Sequence, residues 1–462
     1  MMPAEFPIVE EINYCDPVSV FSALPKQGAL FLDSARTDSN GRYSFIGVSP
    51  FRMICCKNGV ITIDDSTLKA NPFDELAKAL AEFSLKTVPD LPPFQGGVAG
   101  MFGYELGSYL EKIPKSALDD LAFPELILGF YDVVIAWDHQ HQRCWVFSSG
   151  FPEKEQAKRA KRAKERLSWV LGFFNQPLSS LTSFTVEDSS ILSPFEQHSY
   201  ETAVKEVIEY IKAGDIFEAN ISQRFSCKRP TVAPFMLYRK LREKNPAPFA
   251  SFMQYDDWVI ASASPERFLK LSNKQVQARP IKGTRPRHTD PLIDKMNADA
   301  LVNSEKDWAE NVMIVDLMRN DISRVCEPHS VKVPQLCGLE SFATVHHLVS
   351  VVEGTLQQDK NALDLLKATF PGGSITGAPK IRAMEIIAQI EPTLRGPYCG
   401  SMGYMGFNGD MDLSITIRTF VMNQDMLTFQ TGGAITVDSD PFEEYEETLT
   451  KARALRATLT QH

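Results

Sequence analysis

From about residue 20 to residue 60, short apolar runs alternate with clusters of Gly, Ser and Asp, which predicts strands joined by turns. The stretch PPFQGGVAGMFGYELG, Pro92 to Gly107, carries glycines that permit tight turns and close backbone approach. Residues 125–148 predict more strand. Leu121 to Trp137 is the most apolar segment, but Pro124, Glu125 and Asp132 interrupt it, so it fits a pair of buried strands better than a membrane span. Residues 153–166 follow a helical period with many basic residues; a solvated face is expected rather than a binding helix. Residues from about 176 to 197 are rich in Ser, Thr and Pro. They divide the chain into an N-terminal part, 1–185, and a C-terminal part, 190–462.

Beyond that break the periodicity sharpens. Ser199 is placed to cap a helix that buries Val204, Val207, Ile208 and Ile211 and ends at Gly214. Ile216 to Phe225 and Trp258 to Ser262 predict strands. Asn303 to Cys326 predicts a long helix with Ser304 as its cap. Gly403 to Phe407, the turn Asn408-Gly409 and Leu413 to Met422 predict a hairpin, followed by a strand from Met426 to Val437. Pro441 to Leu459 predicts a closing helix with Pro in its first turn. Hairpins interspersed with long helices point to an α+β fold with antiparallel sheet.

The chain has 462 residues, more than one hydrophobic core usually serves, so two lobes or one large layered domain are expected. Asp and Glu number 58 against 48 Lys and Arg, a formal charge of −10. That balance argues against non-specific binding to nucleic acid or anionic membrane, though not against a local basic pocket. Eight cysteines without a CxxC pair fit free thiols in a reducing compartment. The first residues, MMPAEFPIVEEINYCDP, lack a basic and an apolar leader region, so a cytoplasmic protein is expected.

Candidate chemistry sits in the C-terminal part. On the closing helix Glu444, Glu447 and Lys451 share one face, and on the 303–326 helix Asp307 and Glu310 do the same beside an apolar stretch. Each face could be merely solvated. Carboxylates from two helices could equally hold one Mg²⁺, a hard ion that prefers oxygen. PGGSITGAPK, Pro371 to Lys380, leads into an apolar-periodic helix and offers backbone N–H groups to an anion. It is not a phosphate-binding Walker loop, because Ala378 stands where that loop needs Lys. Gly432-Gly433 ends a strand, and Arg418, on a strand of alternating pattern, could grip a carboxylate. Lys282 in PIKGT is either a surface lysine or, once neutral, a nucleophile. Glu266 in SPERF follows a buried-looking strand and could act as a general acid if desolvated, or simply pair with a basic neighbour. His346-His347 has no companion His or Cys cluster, so zinc is not expected.

In combination, AENVMIVDLMRND (Ala309 to Asp321), PGGSITGAPK and SITIRT (Ser414 to Thr419) resemble the chorismate-utilising enzymes. The resemblance is strongest from Ser199 onward, and PFQGGVAGMFGYELG extends it toward the N-terminus. It implies a layered sandwich of two large antiparallel sheets with helices outside and interleaved subdomains. It also implies that Glu310 and Glu447, with Glu444, bind Mg²⁺, and that the ion holds a ring carboxylate. Thr376, Gly377, Tyr398, Arg418, Gly432, Gly433 and Lys451 would surround the substrate, with His347 near the ring.

Within the family, PIKGT is similar to the members that form 4-amino-4-deoxychorismate, the precursor of 4-aminobenzoate and folate; anthranilate-forming members usually have Ala where Lys282 stands. The resemblance implies that Lys282 attacks C2 while Glu266 protonates the leaving C4 hydroxyl, and that ammonia then adds at C4 and expels the lysine. Isochorismate- and salicylate-forming members place a water-activating Lys at the position of Glu218, so that branch is disfavoured. Gln is more familiar at that position among ammonia users, which makes Glu218 a departure. Ser34, Pro248 and Phe249 lie in stretches similar to the family's tryptophan pocket, which serves feedback inhibition in anthranilate formation. No cysteine sits in a glutaminase-like nucleophile turn, so ammonia is expected from a separate glutamine amidotransferase subunit. The rival readings are an anthranilate synthase component and a non-catalytic binding protein for chorismate or tryptophan.

Overall fold

The computed structural model describes residues 5–37, 40–114, 118–174, 176, 178, 180, 184–342 and 345–460. Two antiparallel sheets lie face to face. The first has eleven strands and runs from Ile8–Ile12 at one edge to Glu218–Lys228 and the short Gly377–Ala378 at the other. The second has twelve strands: eleven run in order from Ile281–Pro286 to Ser66–Lys69, and the twelfth, Lys332–Ser341, pairs off that path onto Val345–Thr355. Both sheets draw strands from either side of the Ser/Thr/Pro-rich break. Leu30–Asp33 pairs with Phe249–Tyr255 in the first, and Gly97–Phe102 pairs with Ser401–Gly406 in the second. The expected α+β sandwich with interleaved parts is therefore the fold observed.

The core lies in three layers. Between the sheets, Phe45, Val134 and Phe147 of the first meet Met101, Ile127 and Tyr404 of the second. Helices cover both outer faces. Phe235, Tyr238, Leu455 and Leu459 pack on the first sheet, and Leu76, Ile314, Met318 and Leu366 on the second. This double coverage explains why Leu126–Tyr131 and Val133–Asp138 are buried at every position and read as nearly continuous apolar runs. Among the described residues no helix is long and apolar enough to cross a membrane. All eight cysteines are free.

Several local expectations shift. Pro17–Ala23 is a helix, capped by Asp16, at the start of the segment expected to hold only strands and turns. The helix expected to start at Ser199 begins at Gln197, with Glu196 as its cap residue. Ser304 does cap Glu305–Ser323, accepting from the Asp307 N–H. Leu413 to Met422 is not one strand: Met411–Ile415 belongs to the second sheet and Thr419–Met422 to the first. The chain changes sheets through Arg418, whose φ is +51°. On the basic helix, Gln156–Leu171, Arg159, Arg162 and Arg166 turn inward onto the Ser149 carbonyl, the Phe151 carbonyl and the Asp132 carboxylate. That helix therefore docks on its own fold through half of its basic side chains.

Candidate functional site

A cavity of about 620 Å³ opens where strands of both sheets meet two helices, Glu305–Ser323 and Pro441–Thr460. Ten of the residues singled out in the sequence line it: Glu266, Lys282, Glu310, His347, Tyr398, Arg418, Gly432, Glu444, Glu447 and Lys451. Glu444, Glu447 and Lys451 come from one helix, Glu310 comes from the other, and the rest are delivered by strands, links and turns. Lys282 stands on Ile281–Pro286 just before a register shift, where Gly283 takes φ +74°. A Cβ at Gly283 would lie 2.8–3.0 Å from Leu301 and Asp307, so the bulge needs glycine. Glu266 occupies the two-residue link between Trp258–Ser264 and Arg267–Ser272.

The electrostatics divide the cavity into two regions. At one end Glu266 is 7% exposed, and burial pushes its carboxyl up to about 7 against the opposing pull of the Ser374 hydroxyl and Lys282. The Ser374 Oγ donates to Glu266 Oε1 at 2.9 Å. The carboxyl group is thus a proton donor near neutral pH. Lys282 lies between two carboxylates, Glu218 Oε1 at 3.3 Å and Glu310 Oε1 in closer contact. Burial would lower its basicity, but Glu218 and Glu310 outweigh that and hold the ammonium above the ordinary lysine range. Glu218 is fully buried, its acidity is weakened by that burial, and its Oε2 has no hydrogen-bond partner.

At the other end three carboxylates face the cavity, each beside a lysine. Glu447 Oε1 lies 2.6 Å from Lys451 Nζ, Glu444 Oε1 lies 3.8 Å from Lys306 Nζ, and Glu310 is engaged by Lys282. Burial raises the Glu444 carboxyl; at Glu447 burial acts the same way, but Lys451 and the other cations reverse it. Glu444 Oε2 is buried without a hydrogen-bond partner, while its Oε1 accepts from Ser439 Oγ at 2.6 Å. Among the described residues no three such side chains are already gathered about one point. The donor set nonetheless suits a hard divalent ion. It consists of carboxylate oxygens, one of them orphaned, whose present counter-charges are lysine ammonium groups.

Arg418 reaches the cavity from its left-handed turn, and among the described residues its guanidinium makes no hydrogen bond or ion pair. Crowding by the surrounding protein, with Arg36 nearby, makes it less basic than a free arginine. An uncommitted guanidinium in a cavity is a site for a carboxylate. His347 faces inward, its Nδ1 2.9 Å from Thr284 Oγ1, and burial drops its ring to about 4, so it is neutral at physiological pH. His346, one residue earlier on the same strand, faces away and bonds Asp294 and Ser341. The alternation of the strand decides which member of the doublet meets the cavity.

Three of the candidate residues stand behind the wall instead. The Thr376 carbonyl accepts from Asn220 N at 2.8 Å and its hydroxyl donates to the Gly372 carbonyl at 2.9 Å. Gly433 backs the acidic end: a Cβ there would sit 2.9 Å from Glu444 Oε2. Gly377 has φ +145°, and a Cβ would come within 2.1 Å of the Glu218 carbonyl oxygen. Gly377→Ala is accordingly expected to cost at least about 3 kcal/mol in urea unfolding, since no flexible side chain can yield. A loss below about 1 kcal/mol would show that the loop relaxes. Ser374 and Lys306, which contact the candidate residues Glu266 and Glu444, were passed over in the sequence reading. Ser374 was visible inside PGGSITGAPK, but its partner Glu266 is 108 residues away in sequence.

Ser34, Pro248 and Phe249 come together around a second cavity of about 410 Å³ between the sheets, which shares no lining residue with the first.

The chain matches the family model described as chorismate binding enzyme over residues 28–457. It is 39% identical to anthranilate synthase component 1 of Thermus thermophilus, covering 95% of this chain and 94% of that protein. It is also 39% identical to aminodeoxychorismate synthase component 1 of Klebsiella aerogenes, covering 94% of each. The crystal structure of anthranilate synthase component I from Streptococcus pneumoniae superposes with a TM-score of 0.79 at 31% identity, covering 97% of this chain and 99% of that one.

Proposed function

The chain belongs to the family of chorismate-binding enzymes, and from that premise we propose that it converts chorismate and ammonia to 4-amino-4-deoxychorismate. The observation that carries this reading is a lysine amine, Lys282, enclosed in the same cavity as a protonated acid, Glu266, and an uncommitted guanidinium, Arg418. Lys282 first passes its ammonium proton to an adjoining carboxylate, Glu218 or Glu310, and the freed amine forms a C–N bond at C2 of the ring as the double bond shifts and the C4–O bond breaks. Glu266 supplies the proton that lets the oxygen leave as water, because hydroxide is a poor leaving group. Ammonia then bonds to C4, the double bond returns, and the C2–N bond breaks to restore the lysine amine. The sum is chorismate plus ammonia giving the amino product plus water. Two displacements replace one difficult substitution.

Arg418 and Lys451 supply positive charge for the substrate's carboxylates. Glu310, Glu444 and Glu447 would hold Mg²⁺, which when bound supplies a positive centre for the ring carboxylate. Chelation with EDTA is expected to abolish turnover and added Mg²⁺ to restore it. Glu444→Gln and Glu447→Gln should weaken Mg²⁺ binding by roughly 10–100-fold in calorimetric titration. Full activity after exhaustive chelation would remove the ion from the reading. Ammonia would be delivered by a separate glutamine amidotransferase subunit; pull-down with the chain as bait, followed by glutamine-dependent turnover, tests that.

The second reading is anthranilate formation, favoured by the equal identity to relatives of both names. Lys282 weighs against it. Product identification decides. The purified chain is incubated with chorismate, Mg²⁺ and excess ammonium salt, and the products are read by mass spectrometry and fluorescence. A product of aminodeoxychorismate mass, converted to 4-aminobenzoate by an added lyase, supports the proposal; fluorescent anthranilate overturns it.

A further inference from the structure

We propose that Glu218 is the positioning residue of Lys282, the side chain that keeps the amine aimed into the cavity; this rests on the reading of Lys282 as nucleophile. Lysine has a flexible four-carbon stem, so a fixed backbone alone does not fix the amine. The backbone is fixed at the Gly283 bulge, and among the described residues the amine is tied at its far end by two groups, Glu218 and Glu310.

These two groups differ in their commitments. Glu310 lies on the wall shared with Glu444 and Glu447 and lines the cavity, where a bound ion would compete for it. Among the described residues the Glu218 side chain has one partner, Lys282, and it is wholly enclosed. Its backbone is held by its place in the sheet. It pairs with Ala378, and its carbonyl lies where only the missing side chain of Gly377 leaves room. A rigid seat, an enclosed carboxylate and one partner describe a fixed anchor. A buried carboxylate is also expensive to keep for stability alone, since an apolar replacement of the whole pair is often neutral or better. The anchor therefore serves the amine it holds.

The test uses the full chain with Glu218→Ala and Glu218→Gln, each first checked for folding by its thermal midpoint. Reductive methylation without substrate, mapped to the Lys282 peptide by mass spectrometry, reads how firmly the amine is held. Relative to the parent, Glu218→Ala is expected to label about tenfold faster, while Glu218→Gln, which keeps an acceptor, stays within about threefold. With chorismate and excess ammonium, Glu218→Ala should lose roughly 10–100-fold in kcat with KM little changed, and Glu218→Gln should recover most of it. Unchanged labelling in Glu218→Ala overturns the proposal, as does a kcat loss that tracks the thermal midpoint and is not recovered by Gln. If the parent forms no product while the labelling difference stands, the anchor is upheld and the proposed reaction is what fails.

Discussion

Lys282→Ala is expected to lower formation of 4-amino-4-deoxychorismate by at least ~100-fold, because the displacement at C4 loses its covalent route. The alanine variant also leaves Glu218 and Glu310 without their shared cation, and removing one member of a buried pair costs about 3–5 kcal/mol. Lys282→Arg separates the two effects. It keeps a cation between the carboxylates but is too basic to give up a proton. The expected result is an arginine variant folded like the parent and as inactive as the alanine variant. Rapid acid quench of the parent with chorismate, ahead of ammonia, should reveal a mass increment on the Lys282 peptide that both variants lack. Normal turnover by either variant would show that the lysine is not the nucleophile.

The second large effect is at Glu266. Glu266→Gln removes the acid and should lower kcat by roughly 10²–10⁴. In the parent, burial raises this carboxyl to about 7, so the proton-donating form is lost as pH climbs through 7. Activity limited by this step should fall about tenfold per pH unit above that point. The same shift has a stability signature. Between pH 4.5, the group's ordinary value, and about 7, the folded state binds the proton that the unfolded state has released. Stability therefore falls as pH rises across that window. A shift of this size amounts to about 3 kcal/mol. Glu266→Gln, a permanent neutral mimic, should thus be more stable than the parent at pH 8 by about that amount and equal to it near pH 4.5. Urea unfolding at both pH values checks this. A variant less stable than the parent at pH 8 would place the carboxylate in a favourable ion pair instead.

Much of the site was legible because its parts are local. Glu444, Glu447 and Lys451 share a helix face by spacing alone, and the string around Glu310 combines an acidic turn with a buried helix. Ser304 and the final helix were placed within a few residues for the same reason. What could not be read is pairing across distance. Lys282 and Glu218 are separated by 64 residues and meet only because two sheets bring them together. Arg418 was misplaced on a strand because SITIRT alternates like one. Nothing in a periodicity shows the chain leaving one sheet for the other, and it is that departure which turns the guanidinium into the cavity. The strands of the N-terminal part were expected, but their partners were not, since the order of strands depends on packing of the whole sandwich.

The interleaving of the sheets sets a demand on synthesis. Gly97–Phe102 is apolar or glycine throughout and carries no charged residue to guard its edge. Its neighbour on one side, Ser401–Gly406, leaves the ribosome about 300 residues later, roughly 15–60 s at ordinary elongation rates. Leu30–Asp33 waits in the same way for Phe249–Tyr255. For that interval the nascent chain displays two unpaired strand edges above half-built cores, so the final sandwich is a post-translational closure and the growing chain a natural client for chaperones.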